Sequence, residues 1–305
     1  MDHELRINRI LAATDFSEDA AAALEYAKLL ARTFGANMTL LHAVPRYPVV
    51  EPFPIDVVAI SDGMADRRKV ALAALEEYRS AFLGDFPEAS LLLTDEDPAR
   101  AIVSNGRALA DWIVMGTRGN GGLRRALLGS VAEDVIRHSD LPVLTVRRVE
   151  HRPESSKIER IVCPFNYSAV AMKAFRHAML LASGLDAELT VLSLEETDWN
   201  GDLEGEATRL KDWISDIPLS IRATFLVRHG EAATQVNDFA LHHGTDLIVM
   251  GAQKRRDGNT TVIGTTTEKL TRHAPCPVLT VPADDVAAVY GHTQVEAGET
   301  VEGRY

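Results

Sequence analysis

A chain of 305 residues with 46% hydrophobic and 25% charged residues has the make-up of an ordinary soluble protein of about two domains. Its formal net charge of −12 argues against a general nucleic-acid binder, since neutralising phosphates takes a basic surface, so any anion site must be local. No apolar run reaches the ~18 residues of a membrane span, MDHELRINRI does not read as a signal peptide, and Cys163 and Cys276 form no Cys-x-x-Cys, so a cytoplasmic chain with two buried thiols is expected.

In chain order, apolar strands are expected at about 8–14, 37–44, 90–94, 111–116 and 142–147, with helical patterns between them. Pro45–Asp62 holds four prolines and reads as an extended loop. Leu72, Leu75, Arg79 and Phe82 then follow a helical stripe, the arginine stem covering its edge. Arg147–Ser156 is polar and reads as a linker. Beyond it the chain repeats itself. NRILAATDFSEDAAAALEYA (8–27) superposes on ERIVCPFNYSAVAMKAFRHA (159–178) at an offset of 151 residues, which Met38–Ala43 and Leu189–Leu194 keep. DWIVMG (111–116) matches DLIVMG (246–251), and LPVLTV (141–146) matches CPVLTV (276–281), at an offset of 135, so the second copy is 16 residues shorter. Its helical stripe is Leu210, Trp213, Ile214 and Ile217. A repeat this long points to duplicated domains rather than a solenoid.

Alternating strands and helices with continuous apolar strands imply a parallel sheet covered on both faces. The expected fold is α/β: two tandem open five-stranded parallel sheets of Rossmann-like type, over residues 1–149 and 157–282, with an acidic frayed tail at 283–305.

The densest chemistry is GTRGNGGLRRALLGS (116–130), five glycines and three arginines directly after the strand WIVMG. Glycine lets backbone N–H groups approach a ligand closely, and arginine suggests an anionic one. A Walker loop is excluded because Gly122-Leu123 stands where Lys-Ser/Thr should follow Gly121. A dinucleotide fingerprint is excluded because TDFSEDA follows the first strand without a glycine, and no Gly-x-Ser-x-Gly nucleophile elbow occurs. What remains is Gly116-x2-Gly119-x9-Gly129-Ser130, which resembles the ATP-binding signature of the universal stress protein family. The TDFSE turn and the two PVLTV strands agree with it, and the resemblance covers roughly residues 5–282.

The resemblance implies the sheet order 3-2-1-4-5, with ligand in the crevice between the first and fourth strands, where Asp15 and Gly116 would face each other. It places Asp15 on the adenosine part and Ala43 against adenine through its backbone, though many relatives carry valine there. Met115 and Val131 would flank the nucleotide, while Gly116, Gly119, Gly129 and Ser130 form the phosphate cradle, with Arg118 in reach of phosphate. A helix opening at Gly129-Ser130 suits an anion by its free N–H groups and its dipole. Asp15 can instead cap the next helix, as can Ser17; Ser130 can be a plain N-cap. Arg124 and Arg125 read as a solvated face. His138 and His273 sit at equivalent helix ends, and His242 and His243 point to different faces, so no metal site is expected.

In the second copy Asn166 replaces Asp15 and Lys254 replaces Gly119, while Gly251, Gly264 and Thr265 persist. That pattern reads as a structural copy with a degenerate site. The expected ligand is therefore one ATP, with Mg²⁺ bridging phosphate oxygens and water. The resemblance implies pairing through the fifth strands, here within one chain as a pseudo-dimer, with a homodimer and a regulatory protein partner left open. The leading reading is a nucleotide-responsive stress or signalling protein. A slow ATPase or nucleotide-dependent transferase, and a nucleotide-free scaffold, are the alternatives.

Overall fold

The computed structural model describes residues 5–44, 57–119, 128–148, 157–195, 222–257 and 260–283, with residues 205, 208, 210 and 212. The acidic tail, most of the inter-copy linker, the residues of 120–127 including Gly121, Gly122, Arg124 and Arg125, and Trp213, Ile214 and Ile217 lie outside the described residues.

The first half runs β1 (Arg9–Ala13), α1 (Glu18–Phe34), β2 (Asn37–Ala43), α2 (Val57–Phe82), β3 (Ser90–Thr94), α3 (Pro98–Leu109), β4 (Trp112–Gly116), α4 (Ser130–His138) and β5 (Val143–Val146). The second half runs β6 (Arg160–Phe165), α5 (Ala169–Leu185), β7 (Glu188–Glu195), β8 (Ala223–His229), α6 (Ala232–His242) and β9 (Leu247–Ala252). It continues through β10 (Lys254–Asp257), β11 (Thr260–Ile263), α7 (Thr265–His273) and β12 (Val278–Pro282). The five expected strands of the first half form within a residue or so of their expected bounds. Polar residues start the helices as their chemistry dictates: Ser17 accepts from Ala20 N at α1, Ser168 from Ala171 N at α5, and Asp97 from two N–H groups at α3, where Pro98 follows it.

Two expectations change. Residues 57–62 belong to α2, not to the proline-rich loop, whose residues 45–56 lie outside the described ones. Among the described side chains of α2 the buried ones are Leu75 and Tyr78 rather than the full stripe, since Leu72 and Phe82 are 44% and 39% exposed. The helix is rotated so that Tyr78 packs edge-on to Phe16 from the β1–α1 turn.

Each half has the order 3-2-1-4-5, and the two join into one ten-stranded sheet, β3-β2-β1-β4-β5-β12-β9-β6-β7-β8. All pairings in that sheet are parallel except β5 with β12, which run antiparallel with Leu144 opposite Leu279. This pairs the two PVLTV strands about a local pseudo-two-fold axis, as their shared apolar pattern predicts. Thr145 Oγ1 donates to the Val278 carbonyl and Thr280 Oγ1 to the Val143 carbonyl, each at 3.2 Å, so equivalent threonines stitch the seam from both sides. The repeated aspartates of DWIVMG and DLIVMG have a matching structural task. Asp111 accepts from the N–H groups of Asn8 and Arg9, and Asp246 from those of Glu159 and Arg160, tying the fourth strand of each half to the first.

On one face a single apolar core runs across both halves, joining Leu24, Leu30 and Trp112 to Phe165, Phe175 and Leu181. Both cysteines are buried in it or its neighbours, and burial pushes the Cys163 thiol up. In the shared core lies His177, 3% exposed, its ring 5.4 Å from that of Trp112 and its Nδ1 without a hydrogen-bond partner. Burial, followed by the charge of Lys173, lowers its pKa from 6.5 to about 3. The unfolded chain therefore takes up a proton that the folded one refuses, so stability is expected to fall as the pH drops from about 6.5 toward 3. The full effect is on the order of 3–5 kcal/mol. His177→Gln should flatten this slope in urea titrations between pH 7 and pH 4.5; an unchanged slope would assign the acid sensitivity to other groups.

Candidate functional site

The C-terminal ends of β1 and β4 lie side by side, Ala13 opposite Met115, and the candidate site is built where the two strands part. The turn after β1 has an aromatic residue in the left-handed region, Phe16 at φ 64°. That conformation is uncommon for a bulky side chain, and local bonds hold it. Phe16 N donates to Thr14 Oγ1 and Ser17 N to Asp15 Oδ1, while the Phe16 ring lies 4.4 Å from that of His42. His42 Nδ1 in turn donates to the Thr14 carbonyl at 2.8 Å. Tyr167 in the second half has the same backbone, φ 58°, so the strained residue belongs to the turn in both copies.

This turn sets Asp15 directly against the first loop glycine. A Cβ on Gly119 would stand 2.5 Å from Asp15 Oδ2, closer than real atoms approach. Gly119 is not in the left-handed region, so a side chain there would meet no backbone strain but would push the Asp15 carboxylate from its present place. Asp15 therefore faces Gly119, and Gly116 has another neighbour: its Cβ would lie 2.8 Å from Ala20 N and from the Asp19 carbonyl carbon. Gly251 packs the same way on Val170, so the glycine ending the fourth strand lets the first helix of each half come close. Asp15 does not cap α1; Ser17 does, and Asp15 is held half-buried beside the turn.

After the loop, Gly129 is the N-cap of α4 and supplies no side-chain cap, so Ser130 is the first helical residue and is exposed. Gly129 N donates to the Thr117 carbonyl at 2.6 Å, which pinches the two ends of the loop together. The N–H groups that open α4 thus stand beside the end of β4, with half-buried Val131 next to them and Met115 and Ala43 buried in the layer beneath. Asp15 and Gly119 thus meet at one end of the loop, and Gly129 and Ser130 at the other are tied to the end of β4 through Thr117. The structure describes no side chain between residues 120 and 127.

Arg118 has a different position from the one its sequence neighbours suggest. Its Nε and Nη2 bind Asp19 Oδ2 and Oδ1 at 2.9 and 3.0 Å as a two-pronged pair. Asp19 also accepts from Thr117 Oγ1, Arg118 N and Arg148 N, and its side chain is only 5% exposed. One buried carboxylate on α1 thereby holds the exits of both β4 and β5. Sequence reasoning missed Asp19. The signal was present in the superposed copies, where Asp19, Thr117 and Arg118 become Val170, Ala252 and Gln253 together.

The second half lacks this arrangement. Asn166 is exposed and accepts from Ser168 Oγ, and the loop between Gly251 and Gly264 is drawn into an antiparallel hairpin, with Lys254 opposite Ile263. Gly264 N donates to the Gln253 carbonyl, one residue later than its counterpart in the first half. Lys254 Nζ is directed away, to the carbonyl of Ser139 in the first half. Gly264 caps α7 as Gly129 caps α4, and Thr265 takes the place of Ser130, exposed. Among the described residues no group of three or more His, Cys, Asp or Glu could hold a metal ion, and no helix is long and apolar enough to cross a membrane.

Comparison with known proteins agrees with the duplicated fold. The sequence profile of the universal stress protein family matches twice, over residues 6–147 and 157–282. A universal stress protein of Thermus aquaticus is 34% identical over 142 residues, 45% of this chain and 97% of its own length. One of Mycolicibacterium smegmatis is 23% identical over 290 residues, 89% of this chain and 96% of its own. Among solved structures, a universal stress protein of Archaeoglobus fulgidus superposes with a TM-score of 0.71 at 21% identity, covering 90% of this chain and 98% of that one. The duplicated strand order, the glycine turn closed on an aspartate and the double profile match together place this chain in the universal stress protein family, as a tandem form with two of its domains.

Proposed function

We propose that the first half binds ATP and that the chain acts as a nucleotide-responsive stress or signalling module, the second half serving as a structural copy. The observation that carries this reading is the approach of Gly119 to Asp15, where a Cβ would displace the carboxylate, beside a helix whose first N–H groups have no side-chain cap among the described residues. A crevice with a carboxylate at one end and open N–H groups at the other suits a molecule with ribose hydroxyls at one end and phosphates at the other. Asp15 would accept from the ribose, with Ala43 and Met115 beneath the base and Val131 at its side. Gly119, Gly129 and Ser130 would donate to phosphate, and Gly116 and Arg118 would hold the turn through Asp19. Mg²⁺ would be held by phosphate oxygens and water rather than by a set of side chains.

Native mass spectrometry of the purified protein tests the stoichiometry, with one nucleotide per chain expected. Isothermal titration tests the cradle. Ser130→Ala removes one charge-assisted hydrogen bond and should weaken ATP by about tenfold, near the lower end of the range for such a bond. Two equivalent sites per chain, or no binding at all, would overturn the reading.

A further inference from the structure

The loop that would hold phosphate in the second half is instead the β10–β11 hairpin, and it leaves its own half. Ile263, 5% exposed, belongs to the core cluster of the first half, with Ala132, Val135 and Ile136 of α4, and not to that of α6 and α7. The second strand of the hairpin, β11, packs on α4. Its first strand begins at Lys254, whose ammonium reaches the carbonyl of Ser139, the residue that ends α4. A cation there is favoured by the negative end of the helix dipole. A third tie is the ion pair at 2.8 Å between Arg272 on α7 and Glu133 in the first turn of α4. The reverse contact also exists: Arg147, just after β5, donates to the carbonyls of Arg272 and Ala274 at the end of α7.

Thus α4 is gripped by the other half along its side, in its first turn and at the residue just past its last turn. We infer that the second half is a positioning element for the first: the hairpin derived from its lost phosphate loop sets where α4 stands, and with it the N–H groups at Gly129–Ser130. Ile263, Lys254 and Arg272 are positioning residues that touch no ligand. The inference rests on the ATP reading for its functional consequence, but not for its structural content. It also accounts for the loss of the second cradle. A loop drawn into a hairpin to hold the neighbouring helix is no longer available to wrap a phosphate of its own.

Two measurements separate this inference from the reading it rests on. The first needs no ligand. In the nucleotide-free protein, Ile263→Ala should speed amide hydrogen exchange in α4 by tenfold or more, while the β6, β7 and β9 amides keep their protection. The second compares ATP with adenosine. Because the hairpin acts on the phosphate end, Ile263→Ala and Lys254→Met should each weaken ATP several-fold and leave adenosine unchanged, and Lys254→Arg should restore ATP. Ile263→Ala changes no charge, so its effect cannot be a direct attraction for phosphate. Unchanged exchange in α4, or ATP and adenosine weakened alike, overturns the inference. If the wild-type protein binds neither ATP nor adenosine while α4 exchange responds as expected, the ATP reading fails and the positioning role stands.

Discussion

Gly119→Lys is expected to lower ATP affinity by about a hundredfold, the largest effect on binding of any single substitution in the first half. The reason is steric. The new Cβ would fall 2.5 Å from Asp15 Oδ2, so either the carboxylate leaves the place proposed for it beside the ribose or the turn moves away from the proposed phosphate position. Either way one or two charge-assisted hydrogen bonds are lost, at about 1.5–3 kcal/mol each. The lysine charge returns about 0–1 kcal/mol at an exposed position. The net loss of about 3 kcal/mol corresponds to roughly a hundredfold in Kd. Gly119→Ala should show most of this loss, since the first carbon beyond Cα already meets the carboxylate. Full affinity in either variant, read by isothermal titration, would remove the ATP site from this crevice. The second half bears on the same point: there the aspartate and the glycine are both gone, as Asn166 and Lys254.

At neutral pH a large effect on stability is expected at Asp19. Its carboxylate, 5% exposed, takes five hydrogen bonds from Thr117, Arg118 and Arg148. Asp19→Val, which copies Val170, leaves the Arg118 guanidinium and two backbone N–H groups without their acceptor. Breaking one side of a buried pair costs about 3–5 kcal/mol, and because Arg118 is 37% exposed the lower end applies. Removing the whole network should be far milder, because polar groups that are absent need no partner. Asp19→Val combined with Thr117→Ala and Arg118→Gln gives the composition of the second half and should recover more than half of the loss. Urea unfolding midpoints decide it. A loss below about 1 kcal/mol in the single variant, or no recovery in the triple, would show that the carboxylate is not the point on which these strand ends depend.

Much of this protein is written locally. A parallel strand buried on both faces must be a continuous apolar run, so WIVMG, LIVMG and the two PVLTV segments announce themselves, and their recurrence reveals the duplication. Ser17, Ser168 and Asp97 mark helix starts because a cap is a bond between near neighbours. The pairing of β5 with β12 follows from two equivalent apolar edge strands in one chain.

Other features depend on residues that meet only when the sheet closes. Asp19 and Arg118 are 99 positions apart and Lys254 and Ser139 are 115, and no periodicity links either pair. Arg118 reads as a phosphate ligand in sequence because its neighbours are glycines, whereas in space its nearest carboxylate is on α1. The rotation of α2 is likewise decided by the aromatic ring of Phe16, which the sequence places 62 residues before Tyr78. The second phosphate loop shows the same division. Its missing glycine is legible in the chain, but its recruitment as a hairpin against α4 is not, because Ile263 finds its apolar neighbours in the other half. The sequence by itself determined the two sheets and their order of elements, since each rests on patterns a few residues long. Tertiary structure alone decided which charged groups serve the crevice, which serve the frame, and how one copy came to hold the other, since long-range charge pairs and packing partners are chosen by geometry and not by spacing.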